Sequence, residues 1–353
     1  MAVYIQSATH ISAQQPLCDD WWDRPVMHNE RLVMSNDPKF SEYLSPLLSR
    51  RMCNLLKRAT ITARIALSDA HIAMPDAIIS GTGLGCIENT EKFLYAIKEN
   101  GEQCLPPTFF MQSTHNIISS LIAIDLKCHG YNNTYVHRGV AFDHALSDAF
   151  LQFRQHGIRT ALVGGYDELT SDYHVFLSRT GLWNFTDYGA DVTPKQWCFA
   201  SEVAVSMALC AERDERTMCE INGIETMYRP TPNRMQAALN GLLAQAGCSI
   251  TDIDAVMVGI DHNPANDAPY HETIAHLLAD CPVVQYKHLF GQSFTASALG
   301  VYAAAVCLRN GRIPAHLLTN GSETVRPVKR ILFYNHHNNK SHTFILLSQC
   351  SNS

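Results

Sequence analysis

Short apolar runs and helix-periodic segments alternate along this chain. Ala77 to Ser80 (AIIS) is an apolar run that ends in the glycine turn GTGLG, a pattern that indicates a buried strand. Met52 to Ala73 carries apolar side chains at the three- and four-residue spacing of a helix. Phe142 to His156 is predicted to be a further helix, and Thr160 to Val163 a further strand. This alternation favours an α/β fold with buried strands.

A second series of similar elements begins after about residue 215. Strands are predicted at Cys219 to Met227 and Asp254 to Ile260, with a helix at Arg234 to Ala246 between them. An alanine-rich helix, Phe294 to Arg309, precedes two more strands. We therefore expect two similar α/β halves of layered sheets and helices, residues 1–215 and 216–353. This expectation rests on the order of elements, since the halves share no recognisable sequence identity.

The composition excludes several classes of function. The chain has 353 residues, of which 46% are hydrophobic and 17% charged, and its formal net charge is −6. A mildly acidic protein attracts neither nucleic acid nor an anionic membrane surface. No apolar run approaches the roughly 20 residues that span a bilayer, and the N-terminus has no secretory signal pattern. We therefore expect a cytoplasmic protein without a membrane span.

The cysteine and histidine patterns predict neither a metal site nor a nucleotide cofactor. The 12 cysteines form no CxxC or other close pair, which argues against zinc-ribbon and thioredoxin-like sites. The segment with His336, His337 and His342 has no acidic or cysteine partner nearby. The GTGLG turn lacks both the third spaced glycine and the Lys-Ser/Thr ending of nucleotide-binding loops.

Four motifs of the first half resemble those of the β-ketoacyl-ACP synthases, which have the thiolase fold. GTGLGC (Gly81 to Cys86) resembles their early glycine turn. PTFFMQSTHNIISSLIAI (Pro107 to Ile124) resembles a segment in which Ser/Thr and Asn lead an apolar helix. GYNNTYVHRGVAFDHALSDA (Gly130 to Ala149) resembles the region that carries the nucleophilic cysteine. ALVGGYDE (Ala161 to Glu168) resembles the strand and Gly-Gly-x-Asp/Glu turn that follow.

The second half resembles the two histidine motifs of the same family. GIDHNPAND (Gly259 to Asp267) retains the first histidine as His262, in a shorter loop. KHLFGQSFTASALG (Lys287 to Gly300) retains the motif's lysine, Lys287, but Gln292 stands where the second histidine belongs. The resemblance implies that His262 and Gln292 occupy the two histidine positions of the site.

A seventh motif extends the resemblance to nearly the whole chain. YNHHNNKSHTFILL (Tyr334 to Leu347) stands where the family has Asn-Ser-Phe-Gly-Phe-Gly-Gly and a final strand, and it retains Asn335 and the strand. Seven motifs in the family's order imply a thiolase-like fold. The narrower pattern is similar to the chain-length-factor-like ketosynthase subunits of aryl polyene and flexirubin clusters, which carry similar GTGLGC, QSTHN and YVHRG segments.

The resemblance also implies that the nucleophile is missing. Counting forward from Gly130 and back from Ala145 places the cysteine position at Gly139. A ketosynthase needs a thiolate at a helix N-terminus to accept the acyl chain as a thioester. Glycine has no side chain, and the segment VHRGVAF (residues 136–142) contains no Cys, Ser or Thr. Gln292 can donate a hydrogen bond but cannot carry a proton.

Other residues are candidates for the pocket or for a subunit interface, and each has a structural alternative. Lys287 and His262 are equally compatible with purely structural roles, and Cys86 would need a nearby base to serve as a substitute nucleophile. In the family, subunits join through the strand beside the nucleophile, here Thr134 to His137. The pocket or interface candidates are His115, Asn116, His137, Arg138, Phe142, Lys287 and Asn335.

The resemblance therefore implies a subunit without condensing activity of its own. It would act as a chain-length factor, or partner, of an active β-ketoacyl-ACP synthase in polyene-, polyketide- or fatty-acid-type biosynthesis, either as a heterodimer or as a homodimer. An acyl carrier protein would present the acyl-phosphopantetheine, and no other cofactor is expected. The alternative is an enzyme in its own right: a divergent ketosynthase or malonyl-ACP decarboxylase with an unusual nucleophile.

Overall fold

The computed structural model describes residues 2–183, 198–319 and 327–350 as an α/β fold, as the sequence predicted. The strands are β1 (Tyr4–Ile11), β2 (Leu32–Val33), β3 (Ala77–Thr82), β4 (Tyr131–Val136), β5 (Thr160–Asp167), β6 (Ala200–Ser201), β7 (Val203–Cys210), β8 (Cys219–Tyr228), β9 (Ala255–Val258), β10 (Val283–Gln285), β11 (Arg330–His337) and β12 (Ser341–Ser348).

The helices lie between these strands along the chain. They are α1 (Pro46–Ser49), α2 (Asn54–Asp69), α3 (Ile87–Asn100), α4 (Pro107–Ser113), α5 (Ile117–Leu126), α6 (Ala141–Leu151), α7 (Ser171–Arg179), α8 (Pro232–Gln245), α9 (Pro264–Leu277), α10 (Lys287–Phe290) and α11 (Ala296–Asn310). No helix in the described residues is long and apolar enough to cross a membrane.

Ten strands form one sheet, and its two halves have the same internal order. The sheet runs β10-β9-β11-β12-β8-β1-β7-β5-β3-β4. Each five-strand group places its first strand at the centre and its third strand at an outer edge. The groups meet where β1 pairs antiparallel with β8. The structure therefore contains the repeated element order that the sequence indicated, while the exact division at residue 215 stays a prediction.

Helices cover both faces of the sheet. On one face α6 and α11 share a core with strands of both sequence halves, and nearly all of α11 is buried. On the other face α2 and α5 pack on the first half, and α8 and α9 on the second. Small residues allow these layers to approach closely. At Gly81, for example, an added Cβ would lie 2.4 Å from the backbone nitrogen of Phe142, so this glycine brings the start of α6 against β3.

Two elements differ from the sequence prediction. The helix expected near residues 109–125 is two helices, α4 and α5, separated at residues 114–116. β5 continues through Gly164 and Gly165 to Asp167, beyond the glycine pair at which a turn was expected. An apolar periodicity does not reveal either feature, because the break and the extension depend on packing with neighbouring segments.

Replacement of Gly241 by alanine is expected to stabilise the protein. Gly241 lies inside α8, and an added Cβ there would meet no heavy atom within 4 Å. Glycine inside a helix is less favourable than alanine by about 1 kcal/mol. Chemical denaturation should therefore give a free energy of unfolding higher by about that amount. Gly247→Ala is the control, since Gly247 has φ +65° and alanine there should destabilise. A loss of stability in Gly241→Ala would contradict the described packing of α8.

Candidate functional site

A small cavity lies where the start of α6, the end of β9, α10 and the end of β11 converge. Its volume is about 40 Å³, which is enough space for a few water molecules. The cavity contains four of the residues singled out in the sequence: Gly139, Lys287, Gln292 and Asn335. The folding of the chain thus brings the predicted nucleophile position together with Lys287 and Gln292 of the second histidine motif.

Gly139 lies in the short 3-10 turn that immediately precedes α6. An alanine Cβ at this position would lie 2.7 Å from Nδ1 of His337, closer than atoms normally approach. The imidazole of His337 therefore occupies the space that a side chain at residue 139 would need. The position precedes a helix N-terminus, and a side chain there would require the His337 ring to shift.

Asn335 holds the loop at Gly139 in place. Its Nδ2 donates to the Gly139 carbonyl at 2.9 Å and to Asp143 Oδ2 at 2.7 Å. Tyr270 donates its hydroxyl proton to Asn335 Oδ1 at 3.2 Å, which fixes the orientation of the amide. Asp143 is completely buried, and burial raises the pKa of its carboxyl group to about 6, against the opposing hydrogen bond from Asn335. This network connects β11 to the first turn of α6.

Lys287 is buried in the cavity wall at the start of α10, near Asp261 from the loop after β9 and Asp267 from the first turn of α9. Lys287 is 7% exposed. Asp267 Oδ1 accepts from the backbone nitrogen of Asp261 at 3.0 Å. Burial, followed by the charge of Asp261, raises the pKa of Asp267 to about 7 against the opposing charge of Lys287. Lys287 thus lies within the field of two carboxylates rather than alone.

Several polar atoms of the cavity wall have no hydrogen-bond partner among the described residues. Oε1 of Gln292 and the hydroxyl groups of Tyr286, Ser293 and Ser297 are buried and unsatisfied. All four residues line the cavity. Buried polar groups are normally hydrogen-bonded to protein or to water, so this wall is suited to ordered water or to a polar ligand group.

The backbone of Gln292 connects the cavity to the neighbouring β6. Its nitrogen donates to the Phe199 carbonyl at 2.6 Å, and its carbonyl accepts from the Ser201 nitrogen at 2.9 Å. These bonds hold the residue in the wall although its side-chain oxygen has no partner in the described part of the chain. Backbone hydrogen bonds with Phe199 and Ser201 therefore hold Gln292 in the cavity wall.

The three histidines that follow Asn335 in the sequence, His336, His337 and His342, lie in different surroundings. Burial, followed by the charge of Arg138, lowers the pKa of His337 to about 4, so its ring is neutral at physiological pH. His336 forms a hydrogen bond to the Asn266 carbonyl at 2.8 Å, and burial lowers its pKa to about 3. His342 bonds instead to Tyr334. Among the described residues these three histidines do not form a metal-ligating group.

His262 does not line the cavity. It has φ +61° and lies in an open surface depression with Pro264, Asp267 and His271. The end of β9 contributes Gly259 and Asp261 to the cavity instead. The histidine motif is thus in the expected strand-end loop, but the loop presents an acidic residue to the site.

The remaining candidates are distributed around the first half. His137 and Arg138 are exposed, and His137 stacks on His144 with ring centroids 5.0 Å apart. Phe142 is fully buried in the core beneath Gly81, which differs from the exposed position expected of an interface residue. Asn116 lies in a shallow depression beside Ile124 and Thr134.

His115 faces the glycine turn rather than the cavity. An added Cβ on Gly85 would lie 3.2 Å from Cδ2 of His115. Burial lowers the pKa of His115. The predicted tunnel role of His115 therefore stays a prediction, since this side chain is absent from the lining of the described cavity.

Four residues of the site were missed by sequence reasoning: His337, Asp143, Tyr270 and Asp261. Asp143 had a visible signal, because it is an acidic residue within the otherwise apolar start of α6. Tyr270 and His337 had none, because the contacts that define their roles are made with residues distant in the sequence.

Comparison with solved structures identifies the architecture. The chain is similar to "the ishigamide ketosynthase/chain length factor", with a TM-score of 0.82, 17% identity and 99% of each chain covered. A β-ketoacyl synthase from Burkholderia phymatum gives 0.82, 14% identity, and coverage of 99% of this chain and 100% of that chain. An AntDE:AntF complex, described as a type II PKS acyl-carrier protein with its ketosynthase bound to the hexaketide, gives 0.79, 14% identity and 99% of each chain.

These likenesses confirm the predicted fold. The chain has the thiolase-type fold of the ketosynthases over essentially its whole length. No protein-family model matches its sequence, and no curated protein matches it at a significant level. At 14–17% identity the likeness shows the fold alone. The function of the site therefore has to be argued from the residues of this chain.

Proposed function

We propose that this chain is a ketosynthase-like subunit that lacks the nucleophile and acts as the chain-length factor, or partner, of an active β-ketoacyl-ACP synthase. The product would be of the polyketide, polyene or fatty-acid type. The observation that carries the proposal is the nucleophile position, where Gly139 has no side chain and the His337 ring occupies the available space. Acyl transfer through a covalent enzyme intermediate has no attacking atom there.

Other side chains of the cavity do not supply a replacement. No cysteine is among the described residues of its lining. The hydroxyl group of Ser293 forms no hydrogen bond within the described part of the chain, whereas a nucleophilic serine requires an adjacent base. The amide of Gln292, at the second histidine position, cannot act as a general acid or base, and His262 lies outside the cavity.

The edge of the sheet supports a pairing role. β4 is the last strand of the ten and pairs only with β3 among the described strands. Tyr131 and Val136 on β4 are 40% and 51% exposed, and Ile124 on the adjacent α5 is 71% exposed. An open strand edge beside exposed apolar side chains is a template for association with another chain. The partner in this proposal is an active ketosynthase, and an acyl carrier protein would deliver the phosphopantetheine-bound chain.

The proposal is tested by co-expression with a candidate active ketosynthase. Size exclusion should give a 1:1 complex, and intact mass after incubation with acyl-ACP should show acylation of the partner alone. Incubation of this chain without the partner should leave its mass unchanged. Acylation of this chain would overturn the proposal and support the alternative of an enzyme with an unusual nucleophile.

Replacement of Val136 by glutamate is expected to weaken the complex. A charge at this exposed edge would be desolvated by the partner without a compensating group, so affinity should fall by about tenfold or more. Size exclusion and calorimetric titration provide the measurement. Tyr228→Glu is the control, because Tyr228 is 59% exposed on β8 and lies at the other end of the order β8-β1-β7-β5-β3-β4. Equal weakening by both variants would count against pairing through β4.

A further inference from the structure

Three metal-ligating side chains converge at a place separate from the cavity. Cys53 immediately precedes α2, Cys86 immediately precedes α3, and Glu168 immediately follows β5. The two sulfur atoms and a carboxylate oxygen lie within 4.8 Å of one another, the one such group of three in the described part of the chain. We propose that Cys53, Cys86 and Glu168 bind a zinc ion.

The burial of the ligands favours a specific site over a surface association. Cys86 is completely buried and Glu168 is 3% exposed, whereas Cys53 is partly exposed. The backbone nitrogen of Glu88 donates to Glu168 Oε1 at 3.0 Å. This bond orients the carboxylate, as outer hydrogen bonds do for metal ligands generally. The partly exposed Cys53 provides a route for the ion from solvent.

The donor set selects the metal. Thiolates are soft ligands that favour zinc over magnesium or calcium, and zinc accepts two thiolates and one carboxylate in tetrahedral geometry. Zinc–sulfur bonds of about 2.3 Å place tetrahedral ligands about 3.8 Å apart. The ligand atoms of the three side chains all lie within 4.8 Å of one another. Side-chain rotations that move these atoms by about an ångström would bring them to the separation that zinc requires. The fourth ligand would be a water molecule. The nearby Glu88 carboxylate is the other candidate, but it already forms an ion pair with Lys92 at 2.6 Å.

The charge of the bound site matches its surroundings. Two thiolates, one carboxylate and Zn²⁺ together carry a net charge of −1. The site lies at the N-termini of two helices, α2 and α3, and each contributes about half a positive charge. A bound ion would itself offset the repulsion among the three anionic ligands and favour the thiolate forms of Cys53 and Cys86.

The zinc ion would tie three distant parts of the chain together beside the glycine turn. The Asp167 carboxylate accepts from the backbone nitrogens of Gly83, at 2.9 Å, and Leu84, at 2.7 Å. An added Cβ on Gly83 would lie 2.3 Å from Cβ of Phe294, which lines the cavity. Cys86 lies two residues after Leu84, and Glu168 directly follows Asp167. Zinc bound to Cys86 and Glu168 would therefore rigidify a turn that supports the cavity wall.

The test uses the full chain, without an affinity tag, purified under reducing conditions. Elemental analysis should find about one zinc per chain, as for a tight protein site. Replacement of zinc by cobalt should give an intense thiolate-to-cobalt absorption in the near ultraviolet. Addition of zinc to the metal-free protein should raise its Tm. Cys86→Ser and Glu168→Gln should lose most of the bound metal and of the Tm increase, and Cys86→Ser most of the absorption.

Cys128→Ser is the matched control. Cys128 is also a buried cysteine, but it donates to the Pro75 carbonyl at 3.2 Å and is not part of the cluster. This variant should retain both zinc and the cobalt spectrum. If Cys86→Ser does not fold, Cys53→Ser gives the same test at a more exposed position.

Three results would overturn the inference. The first is a native protein with no more zinc than Cys86→Ser. The second is zinc that persists in Cys86→Ser without a thiolate absorption, which would assign it to surface histidines. The third is a disulfide between Cys53 and Cys86, found by peptide mapping without reductant. None of these outcomes bears on acyl loading, so this inference and the partner-subunit proposal can fail separately.

Discussion

Asn335→Ala is expected to lower the free energy of unfolding by about 3–5 kcal/mol, the range for a buried charged group that loses its partner. Asn335 is 4% exposed and provides hydrogen bonds to the Gly139 carbonyl and to the Asp143 carboxylate. Its removal leaves the buried Asp143 carboxylate and the partly buried Gly139 carbonyl without that donor, and leaves the Tyr270 hydroxyl without its acceptor. Urea denaturation followed by circular dichroism gives the measurement.

The pH dependence of this loss identifies its cause. The pKa of Asp143 is raised from 3.8 to about 6 by burial, so the carboxyl group is neutral in the folded state below that pH. Deletion of the donor should therefore be more destabilising at pH 8, where Asp143 is charged, than at pH 5. In an Asp143→Asn background, Asn335→Ala should be less destabilising at pH 8 than in the native protein, because no buried charge remains, and its effect should no longer depend on pH between 5 and 8.

The control for this series is Asn54→Ala. Asn54 is exposed at the start of α2 and accepts only from Lys57 among the described side chains. Its replacement should change stability by no more than about 0.5 kcal/mol. A similar small effect for Asn335→Ala would show that the bridge between β11 and α6 does not hold the site together.

Gly139→Ala is expected to lower the free energy of unfolding by about 1–3 kcal/mol, as overpacking of a closely packed site does. The added Cβ would lie 2.7 Å from the His337 ring and 3.2 Å from its Cβ. His337→Ala should remove the contact with the ring and leave only the longer contact with Cβ, which alanine retains. The double variant should be more stable than the sum of the single changes implies, with a coupling of about 0.5–3 kcal/mol.

The same cycle distinguishes an occupied nucleophile position from a merely small residue in a turn. Gly241→Ala, in the open exposed helix position, provides the matched glycine-to-alanine control. Strictly additive effects of Gly139→Ala and His337→Ala would show that the imidazole does not fill the space at residue 139. That outcome would remove the main structural support for the partner-subunit proposal.

Exposed apolar side chains near β4 are consistent with the proposed division of labour between two subunits. A subunit that shapes a partner's pocket needs a stable scaffold and a complementary surface, whereas its own cavity can lose the reactive groups. Here Gly139 lies before α6, and Lys287, Gln292, Asn335 and His337 line the same cavity. This combination is the reason to test the chain together with an active ketosynthase.

The sequence by itself determined the fold class, the repeated order of elements and the motifs that converge on the cavity. Buried strands such as β3 and helices such as α2 were recognisable because their patterns are local: apolar runs before glycine turns, and apolar side chains at helical spacing. The absence of Cys, Ser and Thr from residues 136–142 was equally visible, because it is a property of the sequence alone.

Only the tertiary structure decided which side chains occupy the site. Asn335 and Asp143 are 192 positions apart in the sequence and 2.7 Å apart in space, and His337 reaches Gly139 from the same distant strand. His262, by contrast, belongs to the expected motif but lies outside the cavity. Cys53, Cys86 and Glu168 also have no shared sequence pattern and meet because two helices begin where β5 ends. Local periodicity specifies elements, whereas contacts among distant residues depend on how those elements pack.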